Sequence, residues 1–283
     1  MPEIAQTVPP QQTFKLTLAY DGTDFRGWQV QPSESTIQGE LQAAVCRITG
    51  ESPLPQGSGR TDAGVHALGQ VASFGLVAPI PAANLHRALN RTLPPAIRVL
   101  ETKVVENTFH ARHSALAKTY EYRIYRGETC PPFLARYVLA CAWKMDVSRL
   151  EMAAQAFLGE HDFLSFAATD PDLTTRNLSP TTGQEPATGA VRTIFTSTWE
   201  ERDNDAGDML IYRVRGSGFL HHMVRNLVGT MLDVGRRQMN LEDIPQILAA
   251  RNRAAAGPTA PARGLFLHSV EYEERENGLP NSI

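Results

Sequence analysis

The apolar residues of this chain recur with two periods, and segments of the two kinds alternate along its length. Residues 14–20 (FKLTLAY) alternate apolar and polar positions, which predicts a half-buried strand, and Asp21-Gly22-Thr23 marks the turn after it. Ser35-Thr36-Ile37-Gln38 reads as a capping box, and Ile37, Leu41, Val45 and Ile48 follow at helical spacing. A glycine-rich loop is expected over 53–64 and a strand over 70–74. A helix over 82–93 is ended by Pro94-Pro95, and strands follow over 97–105 and 119–125. The second half repeats this grammar. It predicts a helix over 148–158, strands over 191–199 and 209–215 around a polar turn, a long helix over 219–236, a helix over 241–250 and a closing strand over 265–272.

The strands resemble antiparallel partners more than continuous parallel runs. The expected fold class is α+β, with two related halves, each an antiparallel or mixed sheet backed by helices. The boundary falls near Cys130-Pro131-Pro132, which gives an N-terminal half over 13–130 and a C-terminal half over 131–273. No residue-level repeat relates the two. Residues 1–12 include Pro2, Pro9 and Pro10 and read as a disordered arm, and 274–283 reads as a polar tail.

Composition is that of a globular protein, 42% hydrophobic and 20% charged. No run approaches the roughly 18–20 apolar residues that span a bilayer, and the first residues carry no signal-peptide pattern. Cys46, Cys130 and Cys141 are scattered, without a C-x-x-C pair. They point to a reducing, cytoplasmic compartment and away from a disulfide framework or a structural zinc site. The formal net charge of −3 disfavours a nucleic-acid partner at first sight. Its distribution reverses that reading. Residues 213–263 hold eight Lys/Arg and three acids, whereas 199–208 hold five acids and one Arg, and 271–276 four acids and one Arg. The two acidic stretches are a hairpin turn and the chain end, so they dilute a basic surface rather than exclude one. Binding of a nucleic acid to such a surface is then expected to be salt-sensitive and confined to one cleft.

Three stretches carry candidate chemistry. Gly59-Arg60-Thr61-Asp62-Ala63-Gly64-Val65-His66-Ala67 places a carboxylate and a guanidinium two residues apart in a glycine-rich loop, where a ligand can approach the backbone closely. An oriented, ionised carboxylate serves as nucleophile or base; the bland alternative is an Asx-turn with a surface arginine. The loop lacks the G-K-[ST] ending of a phosphate-binding P-loop. Phe109-His110-Ala111-Arg112-His113 and Lys118-Thr119-Tyr120-Glu121-Tyr122-Arg123 interleave aromatics with cations. That pattern suits stacking on bases and contact with phosphates, or else a core strand with a solvated cationic face. In Gly216-Ser217-Gly218-Phe219-Leu220-His221-His222-Met223-Val224-Arg225-Asn226 a helix is expected to carry both histidines. Adjacent helical residues diverge by about 100°, so the pair makes poor joint metal ligands and reads as capping or packing. Arg225 sits in an apolar helix and needs an anionic partner, with Asp62, Asp233 or Glu160 as candidates. In the long polar loop 167–190, Arg176 could meet phosphate or be solvated.

With these residues in hand, the chain resembles the tRNA pseudouridine synthase A family from about residue 14 to 272. Beside the Asp62 loop, the matching motifs are Tyr20-Asp21-Gly22-Thr23 with Phe25-Arg26-Gly27-Trp28-Gln29, Phe109-His110-Ala111-Arg112, Lys118-Thr119-Tyr120-Glu121-Tyr122, His221-His222-Met223-Val224-Arg225-Asn226, and Ala260-Pro261 with Gly264-Leu265. His113 stands where an aromatic is expected, and the 167–190 loop is long and rich in Pro and Thr. The resemblance implies the ferredoxin-like fold of that family with its active-site cleft between the halves. It implies a tRNA substrate, isomerised at uridines 38, 39 and 40 of the anticodon stem-loop, and a homodimer that uses no metal and no organic cofactor. By the same resemblance Asp62 is the nucleophile and Arg225 its salt-bridge partner. Tyr120 contacts the base and serves in proton removal at C5, Arg60 holds the RNA with the base exposed, and Leu265 walls the flipped base. His110, Arg112, His113, Lys118 and Arg176 complete the expected RNA-contacting set. The competing expectations are a non-catalytic RNA-binding protein of the same fold, which would need neither Asp62 nor Arg225, and an Asp62-based nucleosidase or glycosidase, for which no second carboxylate stands in the motifs.

Overall fold

The alternating segments pair into a single mixed sheet. A computed structural model describes residues 11–168, 189–204 and 207–273. The arm expected over 1–12, apart from its last two residues, and the tail expected over 274–283 lie outside them. The strands are β1 Gln12–Tyr20, β2 Gln56–Gly57, β3 His66–Leu76, β4 Ile97–Val105, β5 Ala117–Tyr125, β6 Leu139–Ala140, β7 Gly159–Asp162, β8 Val191–Asn204, β9 Gly207–Gly216 and β10 Leu265–Glu271. The helices are α1 Ile37–Thr49, α2 Ala82–Thr92, α3 Val147–Gln155, α4 Met223–Gly235 and α5 Asp243–Ala250. The sheet order is β4-β1-β3-β10-β5-β9-β8-β7, with β2 added on β3 and β6 on β5. Pairing is antiparallel except for β10 with β3 and β5 with β6. The architecture is therefore α+β, with an open mixed sheet.

Two strands tie the expected halves together. β5, from the N-terminal stretch, pairs with β9. β10, from the end of the described chain, lies between β3 and β5. Each end of the strand order carries its own helix pair: α1 packs on α2 and α2 on β4, while α3 packs on α4 and on β8. The apolar residues under both helix pairs belong to one main core. In β1, the alternation buries Phe14, Leu16, Leu18 and Tyr20 in turn. Helix α1 begins where its capping residue says it should, with Thr36 Oγ1 accepting from the Gly39 amide at 3.2 Å.

Three differences from the sequence expectation have physical causes. β6 and β7 are too short, and β7 (Gly-Glu-His-Asp) too polar, to show an apolar alternation. The second face of β5 is not solvated: Glu121 is buried and accepts from Arg123 and Arg213 at 2.7 and 2.8 Å. Helix α4 starts at Met223 rather than 219, because His222 takes the left-handed conformation (φ 60°) and breaks the helical path.

Helix α4 carries a close contact that positions the end of the fold. A Cβ at Gly229 would land on the Pro258 carbonyl oxygen. The glycine lets the 257–261 segment lie against the helix, where the Ala260 amide donates to the Arg225 carbonyl at 3.1 Å. Gly229→Ala is expected to lower stability by about 1–3 kcal/mol through overpacking, read as a fall in the urea midpoint with an unchanged slope.

Candidate active site

The Asp62 loop is held from below before any ligand is considered. It runs between β2 and β3. The Ser58 amide donates to Val71 O at 2.8 Å, Ser58 Oγ donates to Gln70 Oε1 at 2.7 Å, and Gln70 Nε2 donates to Gly59 O at 3.0 Å. Thr61 Oγ1 shares a 2.8 Å hydrogen bond with the hydroxyl of buried Tyr20, and the Trp28 amide donates to Thr61 O at 2.9 Å. Gly27 (φ 88°) makes this approach possible, because a Cβ there would stand 2.6 Å from Thr61 O. His66, the first residue of β3, accepts the Gly22 N–H at Nδ1 (3.1 Å), and its Nε2 lies 3.1 Å from Arg136 O. The pairing fits a neutral ring protonated at Nε2.

Asp62 meets three nitrogen groups from the start of α4 and the turn before it. Arg225 Nη1 donates to Oδ2 at 2.9 Å. His222 Nε2 lies 3.3 Å from Oδ2, and His221 Nε2 3.6 Å from Oδ1. The Asp62 and Arg225 side chains are 19% and 15% exposed, so the pair is sheltered while the carboxylate stays reachable. Of the three candidate partners named for Arg225, the structure selects Asp62. Arg225 Nε also donates to Ala260 O at 2.7 Å, which ties the nucleophile candidate to the segment leading into β10. Burial pushes the His222 imidazole below its ordinary value, against the pull of Asp62. The ring nitrogen stands beside the carboxylate without the aligned hydrogen bond that Arg225 makes.

These groups open onto a cleft of about 740 Å³. Tyr120 and Leu265 form part of its wall, together with Trp28, Val65 and Phe219. The Tyr120 ring meets Phe219 edge-on at 5.0 Å between centroids. Burial, then Tyr20 and Asp62, push its phenol well above the ordinary tyrosine value, so it stays protonated. Arg26, Arg60, Arg112 and Lys118 also line the cleft, and among the described residues that line it Asp62 is the one carboxylate. A smaller hollow of about 460 Å³ between α3 and β8 is bordered by Glu151 as its sole ionisable group.

The structure thus brings together Asp62, Arg225, Tyr120, Arg60, Arg112, Lys118 and Leu265. His110 and His113 are not among the residues lining the cleft. The His110 Nδ1 accepts the amides of Arg112 and His113 at 3.1 and 3.4 Å, shaping the loop that carries Arg112. Arg176 lies outside the described residues. The reading of His221 and His222 as helical neighbours that diverge is corrected: both precede α4, and the turn aims both at Asp62. The signal was in the sequence, since Gly216-Ser217-Gly218 leaves room for a non-helical turn. The ligand atoms of Asp62, His221 and His222 lie within 4.8 Å of one another, a spacing that suits a metal. Arg225 on the same carboxylate opposes a divalent cation there, and the donors read instead as orienting groups.

A family model described as tRNA pseudouridine synthase matches residues 17–114 and 153–273. A protein of Solibacter usitatus named tRNA pseudouridine synthase A is 49% identical over 259 residues, covering 91% of this chain and 98% of that one. Proteins of the same name from Moorella thermoacetica and Lacticaseibacillus casei are 44% and 42% identical, each over 260 residues. They cover 91% and 92% of this chain and 98% and 99% of their own.

The buried imidazoles set an acid limit to the stability of this site. Burial pushes both His66 and His222 down. The unfolded chain binds protons below about pH 6.5 that the folded chain refuses, so stability is full above that value and falls as pH drops below it. The urea midpoint is expected to decline between pH 6.5 and 5, and His66→Gln to make that decline shallower.

Proposed function

The chain belongs to the tRNA pseudouridine synthase family, and on that premise we propose that it isomerises uridines 38, 39 and 40 of the tRNA anticodon stem-loop with Asp62 as the nucleophile. The enzyme is an isomerase acting on tRNA. In the reaction the N1–C1′ bond of uridine breaks and a C5–C1′ bond forms, while C5 loses a proton and N1 gains one. No electrons or atoms are exchanged with a second substrate, so the balance calls for no cofactor.

The observation that carries the proposal is the placement of one carboxylate in a cationic cleft. Asp62 is oriented by Arg225, His222 and His221, with Tyr120 and Leu265 in the wall of the same cleft. A carboxylate so held can engage the sugar or the ring while the base is detached. The detached uracil carries negative charge, which the surrounding donors stabilise in a sheltered pocket. Extruding a paired base costs a few kcal/mol; Arg60 on the cleft rim holds the opened strand, and Leu265 supplies an apolar wall for the flipped base. Tyr120 contacts the base as a neutral phenol. For it to take the C5 proton, its own phenol proton must pass in the same step to the uracil N1, which gains one in the reaction, directly or through water.

The reading extends to a cytoplasmic homodimer, which rests on the family resemblance. Among the described residues no helix is long and apolar enough to cross a membrane.

Incubation with unmodified tRNA, followed by mapping of pseudouridine in the anticodon arm, is expected to show product at positions 38–40. Asp62→Asn is expected to abolish product and leave tRNA affinity within a few-fold of the parent. Equal loss of binding and product would remove Asp62 from the chemistry, and absence of product with the parent enzyme would overturn the proposal.

A further inference from the structure

The cleft region holds a second charged cluster that the isomerisation does not use. Lys118 precedes Tyr120 by two residues on β5, so the two side chains leave the same face of the sheet, roughly 7 Å apart along the strand. Lys118 Nζ donates to Ser58 O at 2.6 Å. The absent Cβ of Gly59 leaves room for it, since that atom would stand 3.2 Å from Nζ.

The sheet register brings Arg192 to the same face. Lys118 pairs with Gly216 of β9, Gly216 pairs with Ile194 of β8, and Arg192 lies two residues before Ile194. Its side chain passes 3.5 Å from the place of a Cβ at Gly218. Arg112 approaches from the loop between β4 and β5 and lines the cleft beside Lys118. That loop is anchored by the Ala111 amide on Ser73 Oγ at 3.0 Å and by the Tyr272 hydroxyl on Ala111 O at 2.7 Å.

Among the described residues no carboxylate pairs with Lys118, Arg112 or Arg192. Burial, and the charges of Arg112 and Arg192, push the Lys118 amine down to about 8. Burial and Arg112 push Arg192 down in the same direction. Two guanidinium groups gathered around a half-buried amine repel it and one another unless an anion joins them. A phosphodiester answers this need: its oxygens accept from an ammonium as a point charge and from guanidinium groups in fork geometry.

We propose that Lys118, Arg112 and Arg192 form a phosphate subsite that grips the RNA backbone about one nucleotide from the uridine held over Asp62. The inference rests on the RNA substrate proposed above and assigns Arg192 a part in holding it. The subsite sets the step between the gripped phosphate and the reacting base, while Asp62 and its partners act on the base itself.

Two measurements test it, one without RNA. Pyridoxal phosphate carries a phosphate and an aldehyde; the aldehyde condenses with a lysine amine, releasing water, and borohydride reduces the imine to a stable label. The expected result is dominant labelling at Lys118, suppressed by inorganic phosphate and at least fivefold weaker in Arg192→Gln. The second measurement is tRNA affinity against salt. The slope of log K on log salt is expected to shrink by about 0.7–0.9 in Lys118→Gln and in Arg192→Gln, the loss of one phosphate contact, and to return to the parent value in Lys118→Arg. Parent-like slopes in folded Gln variants, with pseudouridine still formed by the parent, would overturn the subsite alone. If the parent neither binds tRNA nor forms product, the proposed function falls, and phosphate-suppressed labelling at Lys118 then upholds or rejects the subsite by itself.

Discussion

The ion pair between Asp62 and Arg225 is the contact on which the site depends. It joins residues 163 positions apart in sequence. One end is a loop strapped to β3 and the other is the first turn of α4. Neither side chain is fully exposed, so each would stand in a poorly hydrated place without the other, and removing one partner of such a pair strands the other. The same guanidinium reaches Ala260 O and so governs how the chain enters β10, the strand that carries Leu265 into the cleft. A single arginine thereby sets both the carboxylate and the wall opposite it. The left-handed turn at His222 belongs to the same arrangement. Such a conformation costs roughly 1–2 kcal/mol for a non-glycine residue, and here it is what aims an imidazole at Asp62.

Much of this was legible in the sequence, and the reason differs by element. The β1 alternation and the α1 cap are local signals, so the strand and helix stand close to where the pattern puts them. The Asp62 loop was legible as an arrangement of glycines around a charged pair, and Arg225 as a charge in an apolar helix in want of an anion. What was not legible depends on contacts distant in sequence. β10 inserts between β3 and β5, a placement that no local period encodes. The start of α4 was misplaced because apolar spacing continues through Phe219 and Leu220 while the backbone does not stay helical. That error hid the two histidines, which became visible as partners of Asp62 once the turn was seen. Glu121 was hidden in the same way: a charged residue on a strand reads as solvated until two arginines from the sheet are found around it.

The net charge of −3 is reconciled with an RNA substrate by where the acids sit. On the acidic hairpin of β8 and β9, Arg126 holds Glu201 and Asp208, and Arg202 holds Glu200. In the cleft the balance is reversed, with four Arg/Lys side chains around one carboxylate. A low-dielectric wall focuses such a field into the cleft, so a polyanion is drawn to the place where the carboxylate waits and finds acidic groups on the hairpin. The formal total describes the whole surface; the substrate meets the local one.

Whether Asp62 and Arg225 act as one unit is read from a double-mutant cycle of unfolding free energies with Asp62→Ala, Arg225→Ala and the double variant. The expected coupling is about 1–3 kcal/mol, with the double variant more stable than the two single losses added together. Additive losses, within about 0.3–0.5 kcal/mol, would contradict it.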